Sequence, residues 1–152
     1  YETFHGRDIF AYAAGRLGAG IAGFESLGPA YPVEEIKTFP LTVPEIKRGY
    51  ARGHITLADH HFGSVTTNIS IPAFEKTGLV HGDKPLLTIT HKGRELFRDP
   101  VLYHRSFGFA ALGEPILYNG STGYMLIGLN QANFTEKFGL DGGLDYIVIL
   151  SL

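Results

Sequence analysis

Three short stretches carry residues whose types and spacing suit chemistry. In "TFHGRDIF" (3–10) a His, an Arg and an Asp stand between two phenylalanines. His5 offers an imidazole that titrates near neutrality and can hold or accept a proton. Arg7 and Asp8 are neighbours in the same turn, which suits a salt bridge tying a loop to a helix start, with Asp8 as the N-cap. In "DHHFGSVTTNIS" (59–70) Asp59 precedes two histidines, and Ser64 follows Gly63. Asp59 and Ser64 would stand close across a tight connection, either as an ordinary Asx-type turn or as the polar end of a site. In "NGSTG" (119–123) Ser121 and Thr122 occupy what reads as a hairpin turn, where their hydroxyls are equally able to hold a carboxylate.

Two other patterns fail on context. "GAGIAG" (18–23) matches the glycine spacing of dinucleotide-binding loops, but that loop needs a strand before it and a helix after it. Here a helical stretch comes first and a Pro-rich stretch comes after, so a linker or helix stop is the better reading. His60 and His61 are adjacent, and neighbours on a strand point to opposite faces, so the two imidazoles are poorly placed to share an ion. With no Cys in the chain and no His-Glu-x-x-His segment, they read as surface histidines, and no metal is expected.

The elements that must position these groups can be read from composition and texture. Thirteen basic and 15 acidic residues give a net charge of −2 with no long run of either sign, which argues against nucleic acid or a polybasic membrane patch as the partner. No apolar run approaches the length of a bilayer span, and Tyr146 to Leu150 reads as a strand. At 44% hydrophobic over 152 residues, the chain can build one domain with a proper core or somewhat more. Its 20 glycines and 8 prolines are spread rather than pooled, the punctuation of many short strands and turns.

Apolar residues at Ile9, Phe10, Ala13, Ala14 and Leu17 predict a helix over 8–17, stopped by Gly18. Residues 18–44 read as a linker, with a domain boundary at 40–41. From Tyr50 the chain breaks into β-like runs: "RGHITLAD", "SVTTNISI", "PLLTITH", "PILYNG", "YMLIGL" and "LDYIVILSL". One helix, 130–139, interrupts them and ends at Gly139. The expected fold is therefore a helical remnant of an α/β domain (1–40) followed by a mostly antiparallel β domain, a small sheet or barrel with one helix (41–152).

Read together and in order, these segments resemble the S-adenosylmethionine hydroxide adenosyltransferase family, related to the fluorinase and chlorinase enzymes. The resemblance rests on "TFHGRDIF" with its following alanines, on "D-x-x-F-G-S-x-x-T-N-I", and on an aromatic followed by "GEPILYNGSTGYMLIGLN". It implies that an α/β N-terminal domain lies mostly upstream of this chain. A ribose-binding Asp and the Asp and Arg partners of a triad completed by His5 would lie there too. Position by position, it implies that Asp59 holds the α-ammonium of the methionine moiety and that Phe107 stacks on adenine. Ser121 and Thr122 would take the methionine carboxylate, and Leu129 and Gln131 would present backbone groups to the base. Ser64 stands where many relatives carry an Asn that reads the adenine edge, a departure that leaves one hydroxyl in place of an amide fork.

The implied reaction is hydrolysis of S-adenosylmethionine to adenosine and methionine, with His5 as the catalytic group. S-adenosylmethionine is then substrate, and no cofactor is implied. A cytoplasmic homotrimer with sites shared between subunits is implied as well. Two alternatives stay open: a halogenase using the same pocket, from which Thr122 departs because halogenases carry Arg there, and a β module that binds adenosyl ligands without turnover.

Overall fold

The computed structural model describes residues 4–38 and 42–152. The chain divides into two compact units, Tyr1–Pro40 and Leu41–Leu152. The boundary expected at 40–41 itself falls outside the described residues.

In the first unit the helix begins earlier than predicted. The Phe4 carbonyl accepts from both Arg7 N–H (3.0 Å) and Asp8 N–H (2.8 Å), which draws the chain into a helical turn before Asp8 is reached. A π-helical turn, Gly6–Ala11, runs directly into α1, Tyr12–Gly18. Asp8 is therefore inside the first turn rather than at the N-cap, a place that falls to His5 with no side-chain capping bond. His5 is helical and exposed. The expected Arg7–Asp8 pair forms, Nε to Oδ1 at 2.5 Å and a guanidinium nitrogen to Oδ2 at 3.0 Å. Single 3-10 turns at Phe24–Leu27 and Val33–Glu35 punctuate the rest of this unit.

In the second unit, nine strands among the described residues form one sheet. They are β1 (Glu45–Lys47), β2 (Tyr50–Asp59), β3 (Ser64–Ser70), β4 (Leu86–His91), β5 (Arg94–Pro100), β6 (Leu102–His104), β7 (Pro115–Asn119), β8 (Tyr124–Leu129) and β9 (Gly143–Ser151). Their order is β5-β4-β9-β2-β3-β8-β7-β6, with β1 pairing to β2 off this path. The β6 end of the order is tied back to the chain beside β4. Gly82 N–H donates to the Tyr103 carbonyl (2.9 Å), Tyr103 N–H to Asp83 (2.8 Å) and Val101 N–H to Pro85 (3.0 Å). The chain just before β4 thus pairs with β6, and the sheet curls into a nearly closed barrel, which leaves little free edge.

Pairing is antiparallel except for β6 with β7, which run parallel. A parallel neighbour cannot be reached by a tight hairpin. The link 105–114 must cross over, and it carries a 3-10 turn at Phe107–Phe109. Among the described residues two short helices also belong to this unit, one more than expected. Ser70 caps α2, Ile71–Glu75, by accepting from Ala73 N–H at 3.3 Å. Asn133 caps α3, Phe134–Phe138, and Gly139 ends it in the left-handed region at φ 60°. The expected helix over 130–139 is thus confined to its second half.

The barrel interior is filled by alternate residues of each strand. Val65, Ile127 and Leu117 form one fully buried row across β3, β8 and β7. Phe97 of β5 packs edge-on to Phe134 (5.2 Å) and Phe138 (4.9 Å), clamping α3 to the barrel. Burial of each such side chain stabilises the fold by about 1.5–3 kcal/mol.

Candidate functional site: an outward-facing cavity on four strands

The row next to that buried one points the other way, because successive strand residues alternate faces. Leu57 pairs with Thr66, Thr66 with Leu126 and Leu126 with Tyr118, so these four side chains make a continuous outward floor across β2, β3, β8 and β7. Above this floor lies a cavity of about 770 Å³. Seven residues singled out in the sequence line it: Asp59, Ser64, Phe107, Ser121, Thr122, Leu129 and Gln131. His5 belongs to the other unit.

Asp59 ends β2 and is the register partner of Ser64, the first residue of β3. Its Oδ1 accepts from His61 N–H (3.0 Å) and Phe62 N–H (2.9 Å), the Asx geometry considered from the sequence. Both bonds fall on Oδ1, so the turn leaves Oδ2 for other partners. The turn is held from the side by α3. Phe134 N–H donates to the Gly63 carbonyl (2.9 Å), and Asn133 Nδ2 donates to the His60 carbonyl (3.0 Å). The two histidines diverge: His60 Nε2 lies 3.1 Å from Asp141, and the His61 ring meets the edge of Phe62 at 4.9 Å.

Ser64 is buried at 8% exposure. Tyr118 shares its surroundings. Burial pushes the Tyr118 phenol above its ordinary value, Ser64 opposes this through a hydrogen bond, and the nearby Asp59 charge adds to the rise. Gly128 lies beside this pair, where a Cβ would be in ordinary van der Waals contact with Ser64 Cβ (3.4 Å) and the Tyr118 hydroxyl (3.8 Å). Phe107, half-exposed, sits on the crossover turn with its ring edge-on to Tyr118 at 6.1 Å.

Ser121 and Thr122 are the two central residues of the turn joining β7 to β8. Gly123 N–H closes it on the Gly120 carbonyl (3.1 Å), and both hydroxyls are left at the surface. Leu129 ends β8 and bridges to Ala132, while Gln131 is left-handed at φ 56°, a kink that turns the backbone of this segment along the cavity wall.

Sequence reasoning missed Tyr118 and Asn133. An aromatic within a strand looks like core, so Tyr118 gave no signal. Asn133 did: Asn followed three residues later by Glu136 is a capping pattern, and Asn133 Oδ1 indeed accepts from Glu136 N–H at 3.0 Å.

Among the described residues, the lining contains one carboxylate, Asp59, and no Lys or Arg. With Phe107 and Tyr118 as aromatic walls and hydroxyls at Ser64, Ser121 and Thr122, it suits a ligand with a flat apolar part, hydrogen-bonding ends and a net positive charge.

Known proteins resemble the chain along the same lines. It is 33% identical over 146 residues to a fluorinase from Nocardia brasiliensis, covering 93% of this chain and 46% of that protein. It is 33% identical over 144 residues to an (R)-S-adenosyl-L-methionine hydrolase from Thermus thermophilus, covering 93% and 47%. The chain thus spans about half the length of these relatives. Among solved structures, an uncharacterized conserved protein from Thermotoga maritima superposes with a TM-score of 0.63 at 25% identity, covering 99% of this chain and 53% of that one. The sequence pattern of the SAM hydroxide adenosyltransferase C-terminal domain matches residues 53–146, the span from β2 into β9 that builds the barrel and its cavity. By that match, over more than half of its residues, the chain belongs to the SAM hydroxide adenosyltransferase family.

Proposed function

We propose that this chain supplies the amino-acid- and base-binding wall of an enzyme that hydrolyses S-adenosylmethionine to adenosine and methionine. The observation that carries the reading is the charge of the cavity. Among the described residues, one carboxylate and no lining Lys or Arg match a substrate that bears an ammonium, a carboxylate and a sulfonium, and so one net positive charge. Asp59 Oδ2 receives the ammonium in a charge-assisted bond while Oδ1 stays committed to the turn. Ser121 and Thr122 donate to the carboxylate, Phe107 stacks on adenine, and Ser64 with the backbone at Leu129 and Gln131 meets the base edge.

The chemistry is displacement at C5′. A water oxygen forms the new bond, the C5′–S bond breaks, its electron pair goes to sulfur to give neutral methionine, and the water's proton is lost. The sulfonium needs no protonation to leave, so the enzyme's task is to hold the water in line and exclude bulk solvent. His5 is the proposed proton acceptor. The cleft is completed by a ribose-binding carboxylate outside this chain and by a neighbouring subunit of a trimer. Exposed Leu57 on the floor, with exposed Phe62 and Phe107 beside it, supplies apolar surface for that cover. No separate cofactor enters.

The test is to give the full-length protein S-adenosylmethionine in ¹⁸O-water. Adenosine labelled at the 5′ oxygen, formed at a rate insensitive to chloride, is expected. Formation of 5′-chloro-5′-deoxyadenosine would reassign the nucleophile to halide, and tight binding with no product would leave a binding module.

A further inference from the structure

The crossover turn that brings Phe107 to the cavity is held differently from the rest of the wall. Phe107 and Phe109 are 53% and 44% exposed, so this turn is not fastened by the core. At its far end Asn130 Nδ2 donates to the Ala110 carbonyl at 2.8 Å. At its near end the fastening is a column of rings. The His104 imidazole lies flat on Phe109, centroids 3.6 Å apart and planes 10° apart. His81 covers the other side of His104 at 5.0 Å and 11°, and the Arg105 guanidinium sits 5.0 Å from the Phe109 ring centre. Between these anchors, Ala110 N–H closes on the Phe107 carbonyl at 3.2 Å, so a shift of Phe109 moves Phe107 with it.

We propose that His104 is a positioning residue for Phe107, acting through its stack on Phe109, and that protonation of His104 releases this part of the cavity wall. The hydrogen bonding specifies the neutral ring. Arg105 N–H donates to His104 Nδ1 at 3.0 Å, so that nitrogen must carry a lone pair, and the proton resides on Nε2. Protonation removes the acceptor. It also sets a cation between His81, reaching in from the loop before β4, and Arg105, on the turn itself. Nearby on α2, Glu75 bears on Tyr103. Partial burial, His81 and Arg105 all hold His104 below the ordinary histidine value, consistent with a ring built to stay neutral near pH 7.

The inference deepens the proposed role of Phe107 in base binding and rests on that reading for its functional consequence, but the coupling itself can be measured without ligand. The full-length protein carrying 4-fluorophenylalanine at position 107 would be followed by ¹⁹F NMR between about pH 5 and 8. The resonance is expected to titrate in the unsubstituted background. In His104→Phe, which keeps a flat ring but cannot ionise, it should stay at the high-pH position. In His104→Ala it should lie displaced at every pH. Adenosine binding by calorimetry at neutral pH should fall about tenfold in His104→Ala, as for a weakened base–aromatic stack, and return to within about threefold in His104→Phe. A resonance that titrates unchanged in His104→Phe, or that does not titrate in the parent, overturns the proposal. The expected ¹⁹F behaviour with no adenosine binding by any variant would uphold the coupling and remove the base from the cavity.

Discussion

Gly63 lies against Asn133 so closely that a Cβ on Gly63 would stand 2.6 Å from Asn133 Cα. The β2–β3 turn thereby rests on the first turn of α3. Gly63 is also left-handed, φ 66°, a conformation that costs other residues about 1–2 kcal/mol. Gly63→Ala combines that strain with a collision against backbone. It should lower stability by about 2 kcal/mol or more in urea unfolding of the full chain. An unchanged midpoint would mean that the turn moves away from α3 without loss.

Asp59 has two separable duties, and two substitutions divide them. Asp59→Asn keeps an oxygen for His61 and Phe62 N–H, so the turn and the unfolding midpoint should survive. It removes the charge, and a hydrogen bond to a charged group is worth about 1.5–3 kcal/mol. Binding of S-adenosylmethionine should therefore weaken about tenfold or more, while adenosine, which has no ammonium, binds as before. Asp59→Ala should weaken both, because the turn goes as well. Equal losses in Asp59→Asn would confine Asp59 to the turn.

The sequence made some of this legible and hid the rest for identifiable reasons. Strands β2, β3, β4, β7, β8 and β9 announce themselves by β-branched and apolar runs between turn residues. β5 does not, because "RELFRDP" is an edge strand with a single buried side chain, Phe97, and its charges suit that edge. α2 was hidden because the β run flows into it without a break, although Ser70 followed by Pro72 marks a helix start. The site segments 59–64 and 119–123 each read as turns, which they are. Their convergence depends on β8 lying between β3 and β7, a non-local pairing that spacing along the chain does not encode.

Acid stability should report on His54, which is buried at 5% exposure with Nδ1 3.0 Å from the Thr42 hydroxyl. Asn68 Nδ2 donates to the Thr42 carbonyl (2.9 Å) and Asn68 Oδ1 accepts from His54 N–H (2.8 Å), so this network pins residue 42 to the barrel. Burial lowers the His54 pKa below its ordinary 6.5 in the folded protein. As pH falls, the unfolded chain therefore binds the proton first. The stability is complete above 6.5 and is lost as pH drops through the lower folded-state value. His54→Asn cannot take up that proton, so this part of the acid loss should vanish from its stability profile. A profile that keeps the parent's slope would place the titrating group elsewhere.

The neighbours of His5 bond to one another without it. The Phe4 carbonyl starts the helix, and Arg7 is engaged by Asp8 and by the Phe4 ring, 4.7 Å from its guanidinium carbon. His5 makes no capping bond. A merely structural His5 would thus be replaceable at little cost. If it instead accepts the proton of the attacking water, His5→Ala in the full-length protein should cut kcat by about 10²–10⁴ with substrate affinity nearly unchanged. Arg7→Ala serves as the control: it breaks the exposed salt bridge beside His5, a kind of pair that contributes little, so turnover should fall far less. Full activity in His5→Ala, or an equal loss in both variants, would show that this segment shapes the fold and that the proton goes to another group.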